Sequence, residues 1–166
     1  SIQLSELFYK RFLNSEDISL FSPHDVPGLY DAYGTPEFDA MYQKYERAYS
    51  VPKKVVSARE LFINILKERA ETGRIYLMNI DHCNSHSSFL DRIYMSNLCQ
   101  EITLPTKPIQ HIDDDEGEIA LCILSAVNVG SLKNTDELEE LCELAVRSLD
   151  EIIDYQKYPV LAAEKS

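Results

Sequence analysis

From Ile2 to Leu13 the apolar residues Leu4, Leu7, Phe8 and Phe12 recur at three- and four-residue spacing, which predicts a first amphipathic helix ending in a polar turn at Asn14-Ser15. Ser22-Pro23 and Pro27-Gly28 punctuate the stretch that follows, so it reads as loop with a helical turn or two rather than as a strand. Thr35-Pro36-Glu37 has the form of a helix start: a hydroxyl for the N-cap, proline at the first helical position and an acid in the first turn. Phe38, Met41, Tyr42, Tyr45 and Tyr49 then make one stripe, which reads as core. A longer helix is expected from about Pro52 to Glu71 on Val55, Ala58, Leu61, Phe62, Ile65 and Leu66. Ser57 and Glu60 match a capping box that would start it later, and Gly73 ends it.

The period then changes. Arg74 to Ile80, RIYLMNI, is a short apolar run after a helix stop and predicts a buried strand, with the polar DHCNSHSS at its carboxyl end. Phe89 to Asp115 has little helical periodicity, and so long a connection inside a compact unit is usually functional. Glu118 to Leu124 is again an apolar run of strand length. Asn134 or Thr135 caps a last helix to about Tyr155, with Leu138, Leu141, Cys142, Ala145, Leu149 and Ile152 facing inward and Glu137, Glu139, Glu140 and Glu143 solvated. The order helix, strand, long loop, strand, helix suggests a piece of an α/β barrel. A helical segment at 1–73 precedes a strand, loop, strand and helix at 74–166, as one structural unit overall.

Composition narrows the class of function. The 166 residues, 45% hydrophobic, suffice for one compact core. A formal charge of -12 argues against direct nucleic-acid binding, which needs clustered Lys and Arg. It leaves nucleotide chemistry open, since only a pocket must suit the substrate. The longest apolar stretch, Ile119 to Val129, is too short to span a bilayer and carries Ser125 and Asn128, so no membrane association is expected. Cys83, Cys99, Cys122 and Cys142 form no CxxC pair, the usage of a cytoplasmic protein whose thiols stay reduced or act in catalysis.

Candidate chemistry centres on Ser96-Asn97-Leu98-Cys99-Gln100-Glu101-Ile102. If this stretch is extended, its period of two puts Asn97, Cys99 and Glu101 on one face: an amide, a thiol and a carboxylate. That row holds a hydrogen-bonding group, a one-electron-capable sulfur and a proton acceptor. A free Cys alone is more often packing than chemistry, and the same holds for Cys122 and, still more, Cys142. A competing site is Asp81-His82-Cys83-Asn84-Ser85-His86, where His82 and His86 at i, i+4 with Cys83 could hold zinc on a helix. A structural zinc site needs four ligands and no second pair stands at ligand spacing. The alternative there is a hydrogen-bonded polar network at a strand end, with no metal.

The segments SNLCQEITLPTKP (Ser96 to Pro108) and EIALCILSAVNVG (Glu118 to Gly130) closely resemble the catalytic, large subunit of class I ribonucleotide reductases. TGRIYLMNIDHCNSHSSF (Thr72 to Phe89) and LFSPHDVPGLYDAY (Leu20 to Tyr33) look like the same family in the same order. HSSF at His86 to Phe89 departs from the family's common HSPF. The resemblance implies a ten-stranded α/β barrel of two five-stranded halves, with the radical cysteine on a finger loop. Arg74 to Ile80 would be a late strand of the first half, Asn97 to Glu101 the finger tip, and Glu118 to Leu124 the first strand of the second half.

For the residues, the resemblance implies radical reduction of ribonucleoside diphosphates to deoxyribonucleotides. Cys99 would become the thiyl radical that abstracts the 3′ hydrogen, Glu101 would accept the 3′ hydroxyl proton, and Asn97 would bind and orient the sugar. Cys122 would be one thiol of the redox pair that reduces the 2′ position. No cofactor is expected in the chain itself. The family takes its radical from a metal-containing small subunit, responds to ATP and dNTP effectors, and is re-reduced by thioredoxin or glutaredoxin through thiols on its own tail. The family's ATP cone, partner cysteine strand, radical-transfer tyrosine pair and cysteine tail have no counterpart in these segments. The chain is therefore expected to be part of the subunit, inactive without the rest. Against this stand a noncatalytic assembly or regulatory module and a small zinc module at His82, Cys83 and His86.

Overall fold

The computed structural model describes residues 1–166. The chain is mixed α/β and its contacts divide it into two compact units, Ser1–Pro105 and Thr106–Ser166. The change of sequence pattern at Gly73/Arg74 lies inside the first unit, because the strand after it pairs with the chain's first residues.

The first unit opens with strand β1, Ile2–Leu4, where the apolar spacing predicts helix. Helix α1 begins only at Glu6 and runs to Leu13. Its start is set by Ser5, whose hydroxyl accepts from the Phe8 amide at 3.4 Å, and by Asp81, whose carboxylate accepts from the Glu6 amide at 2.7 Å. Upstream of that cap the backbone is extended and lies parallel to strand β4, Leu77–Asn79, with Ile2 opposite Leu77 and Leu4 opposite Asn79. Strand β2, Asp17–Leu20, forms where loop is expected, antiparallel to β3, Lys54–Ser57, with Asp17 opposite Ser57. A 3-10 turn at Pro23–Asp25 and a one-turn helix α2, Leu29–Ala32, follow β2 as the proline punctuation predicts.

Helix α3 spans Phe38–Arg47, starting after Glu37 rather than at Pro36. The Thr35 hydroxyl does not cap it; it donates to the Ala32 carbonyl at 2.7 Å and closes α2 instead. Of the aromatic stripe, Phe38 and Tyr42 are buried, but Tyr49 lies beyond the helix end and is fully exposed. The later start is the one taken by helix α4, Ala58–Thr72: Ser57 accepts from the Glu60 amide at 3.3 Å, so the residues before it are free to pair as β3. Gly73, at φ 66°, closes α4 with its amide on the Arg69 carbonyl at 2.9 Å.

Three apolar clusters hold this unit. Leu7, Val26, Leu29, Ala32, Phe38 and Tyr42 form one, and Leu4, Phe8 and Ala58 a second. Phe62 meets Phe8, Tyr9 and Phe12 edge to face at 5.0–5.9 Å. The third cluster, Met78, Ile80 and Ile93, underlies the candidate site. A polar tie crosses the first: the Tyr42 hydroxyl accepts from the Ser19 amide at 2.7 Å and donates to the Ser19 carbonyl at 2.8 Å. Burial pushes that phenol up to about 12. Arg11 makes a two-pronged ion pair with Glu46, which keeps the Glu46 carboxyl below its ordinary range.

The second unit has little regular structure before its helix. Lys107 and Glu118 exchange both backbone hydrogen bonds at 3.0 Å across a loop organised by Asp114. The Asp114 carboxylate accepts from the amides of Gln110, Glu116 and Gly117 at 2.7, 2.9 and 3.3 Å, donors that hold its pKa below the usual value. The strand expected at Glu118 to Leu124 does not form beyond that bridge, and Leu121 and Leu124 are exposed. A ladder needs a registered neighbour for its amides and carbonyls, and no strand of this chain runs alongside. Helix α6, Glu137–Tyr155, is present, with Asn134 accepting from the Asp136 and Glu137 amides. Its apolar face, expected inward, has no buried residue: Leu138, Leu141, Cys142 and Ile152 are exposed. A short helix α7, Leu161–Lys165, ends the unit.

The strands make two two-stranded sheets and no closed barrel, so the expected ten-stranded barrel is not seen in these residues. No helix is long and apolar enough to cross a membrane.

Candidate active site

Strand β4 runs directly into helix α5, Ile80–Ser85, so the first five residues of the polar DHCNSHSS segment are helical rather than a strand-end loop. The Ile80 side chain is fully buried and holds this junction against Ile93. Gly34, at φ +82°, makes the junction possible, because a Cβ there would lie 2.6 Å from Ile80 and 3.1 Å from the Asn84 amide nitrogen.

The rings of His82, on α5, and His86, the residue just after its end, sit one turn apart, edge to face at 5.9 Å. His86 Nδ1 lies 2.9 Å from the Ser85 hydroxyl and 3.2 Å from the His82 carbonyl, so the hydrogen-bonded network expected here is present, on a helix. Cys83 packs beside Ile80 and Ile93, and burial pushes its thiol pKa up. No three His, Cys, Asp or Glu side chains converge as a metal would need. A cleft of about 450 Å³ opens between this turn and the loop beyond, lined by His82, Cys83, His86, Phe89, Gln100 and Thr103 among others.

Residues 90–105 form no helix or strand, yet they are tied down at several points. Arg92 donates to the carbonyls of Asp31 and Tyr33 and stacks over the Tyr94 ring at 4.4 Å. The Gln3 side chain donates to the Tyr94 carbonyl at 3.0 Å, and the Ser1 hydroxyl to that of Leu98 at 2.5 Å.

The Cys99 stretch is not extended. Asn97 to Gln100 is a hydrogen-bonded turn, with the Gln100 amide 3.2 Å from the Asn97 carbonyl. The Gln100 side-chain amide donates to the same carbonyl at 2.9 Å, and Gln100 sits at φ 67°, a left-handed conformation costly for a residue with a Cβ. Asn97 Oδ1 accepts from the Ile102 amide at 3.1 Å and lies 3.0 Å from the Ser96 hydroxyl. The single-face row of Asn97, Cys99 and Glu101 thus gives way to a turn. Without a partner strand, the local bonds offered by Ser96, Asn97 and Gln100 satisfy the backbone better than an isolated extended segment would.

The turn nevertheless leaves the chemistry in the open. Cys99 is an exposed free thiol and Glu101 is exposed. The Asn97 amide oxygen is committed to the turn, while its nitrogen makes none of the loop's hydrogen bonds. Cys122 lies in the second unit as an exposed free thiol rather than inside an apolar strand, and Cys142 is likewise exposed on α6. Sequence reading misses Asn84 and Gln100, whose roles lie in backbone contacts that no spacing rule encodes. The positive φ at Gln100 has no glycine or asparagine to signal it.

The whole chain, residues 1–166, matches the family described as ribonucleotide reductase, barrel domain. It is 54% identical to the ribonucleoside-diphosphate reductase subunit alpha of Haemophilus influenzae over 99% of its own length and 22% of that protein. The ribonucleoside-diphosphate reductase 1 subunit alpha of Escherichia coli is also 54% identical, and the ribonucleoside-diphosphate reductase subunit alpha of Enterobacteria phage T4 is 40% identical, each over 99% of this chain and 22% of the relative. The chain spans about a fifth of these relatives, and the match is unbroken across both compact units. On that evidence the chain belongs to the ribonucleotide reductase barrel-domain family.

Proposed function

We propose that this chain is part of the large subunit of a class I ribonucleoside-diphosphate reductase and carries its radical cysteine, Cys99. The observation that carries the proposal is the Asn97–Gln100 turn, which is pinned from both sides and presents an exposed thiol next to an exposed carboxylate. Cys99, as a thiyl radical, takes the 3′ hydrogen atom of the ribose and becomes a thiol. Glu101 accepts the 3′ hydroxyl proton, and the 2′ hydroxyl leaves as water with a proton from the redox dithiol to which Cys122 belongs. That dithiol supplies two electrons and its second proton to form the new C2′–H bond and becomes a disulfide; Glu101 then returns its proton to the 3′ oxygen and Cys99 returns the hydrogen atom to C3′, which regenerates the thiyl radical. The unengaged amide nitrogen of Asn97 orients the sugar.

The remaining segments of the subunit supply the partner thiol and the rest of a ten-stranded barrel. The radical comes from a metal-containing small subunit, ATP and dNTPs act as effectors, and thioredoxin or glutaredoxin restores the dithiol in the cytoplasm. The test is deoxynucleotide formation by this chain assembled with the other segments of a large subunit and a small subunit. Cys99→Ser abolishes the product and Cys142→Ser leaves it nearly intact; equal activity of wild type and Cys99→Ser refutes the proposal.

A further inference from the structure

One side chain links helix α5 to the loop that carries the candidate thiol. The Asn84 carboxamide accepts from the Ile93 amide at 2.9 Å and donates to the Ile93 carbonyl at 3.0 Å. Its other N–H donates to the Ile80 carbonyl at 3.2 Å, so the acceptor and both donor hydrogens are used. By bonding both backbone groups of one residue, Asn84 acts as a one-residue strand edge where the loop has no strand beside it. The anchored residue is deeply buried: Ile93 is 1% exposed and packs on Ile80 and Met78. Losing Asn84 would strand a buried amide and a buried carbonyl together. Beyond this point the chain is held through the Gln3 bond to Tyr94 before the turn and through the Ser1 bond to Leu98 within it. Met95 between them is exposed.

We propose that Asn84 is a positioning residue for Cys99: its carboxamide clamp on Ile93 sets where the loop leaves the folded body and hence where the Asn97–Gln100 turn presents the thiol. This rests on the function proposed above, and two readouts separate the two claims. The first is hydrogen exchange on this chain, followed by mass spectrometry. Asn84→Ala accelerates exchange across residues 93–102 about tenfold, as expected for a lost pair of buried hydrogen bonds, and leaves α4 unchanged. Asn84→Asp keeps the acceptor for the Ile93 amide but loses both donors, and falls between wild type and alanine. Unchanged exchange over 93–102, or a parallel loss of protection in α4, overturns the clamp.

The second readout is turnover in the assembled enzyme. Asn84→Ala lowers kcat about tenfold and raises KM by less, because the displaced turn carries the radical centre together with Asn97, whose contact orients the sugar. Faster loop exchange with unchanged kcat overturns the positioning role. If wild type and Cys99→Ser are equally inactive, the functional proposal falls, and the exchange result still decides whether Asn84 clamps the loop.

Discussion

Leu77–Asn79 and Glu118 to Leu124 are two apolar runs of strand character, and only the first is a strand. Leu77–Asn79 finds Ile2–Leu4, more than seventy residues earlier, and its Met78 becomes one of the most buried side chains in the chain. Glu118 makes one bridge to Lys107 and the run beyond it stays irregular, with Leu121 and Leu124 exposed. The helices repeat the contrast. α1 buries Leu7 among Val26, Leu29 and Phe38 and Phe8 against α4 and the aromatic cluster, whereas α6, more than twice as long, buries nothing. An apolar pattern specifies which face wants a partner; burial and its stabilisation arrive only where the chain provides one.

The comparison can be broken from the first unit. Phe8 is 4% exposed in the aromatic cluster, and Phe8→Ala should cost about 3–5 kcal/mol in urea unfolding of that unit. A cost under about 1 kcal/mol would mean that the cluster is not the core it is taken for. Tyr42→Phe keeps the ring but orphans the amide and carbonyl of Ser19, and should cost about 1–3 kcal/mol by the same measurement. Because burial raises the Tyr42 pKa, its contribution is fully present below pH 10 and is lost as pH rises through about 12. The phenylalanine variant should lack that alkaline component of the unfolding profile.

The second unit should respond more weakly. The Asp114 carboxyl is held below its ordinary pKa of 3.8 by backbone donors, so it stabilises the 107–118 loop above that pH, and the contribution is lost as pH falls through the lower, folded value. The protection of the Glu118 amide relative to its intrinsic exchange rate should therefore fall in acid, and Asp114→Asn should flatten that dependence. Smallest of all, Leu141→Ala on the open face of α6 should change stability by less than about 0.5 kcal/mol, since the side chain is already 38% exposed. A loss as large as that of Phe8→Ala would show that α6 has a buried face in solution.

Local signals were legible where they acted through neighbouring residues. Ser57 with Glu60 and the glycine at position 73 mark both ends of α4, and Asn134 marks the start of α6. Signals failed where a distant partner competed. The spacing of Leu4, Leu7 and Phe8 reads as one helix, but pairing with Leu77–Asn79 pulls Ile2–Leu4 out of it. Val55 fits a helical stripe, yet opposite Ser19 it belongs to a strand. At the candidate site, Asn97, Cys99 and Glu101 stand out by residue type, while the backbone that presents them does not.

From its sequence alone this chain determines its family, its residue types at the candidate site, and the caps that begin and end α4 and begin α6, because each depends on residue identity or on contacts a few positions apart. Tertiary structure alone decides that Ile2–Leu4 is a strand, that Asn84 grips Ile93, and that Cys99 sits on a turn rather than in an extended row. Those outcomes require backbone groups distant along the chain to meet, and hydrogen bonds between such groups leave no periodic trace in the order of side chains.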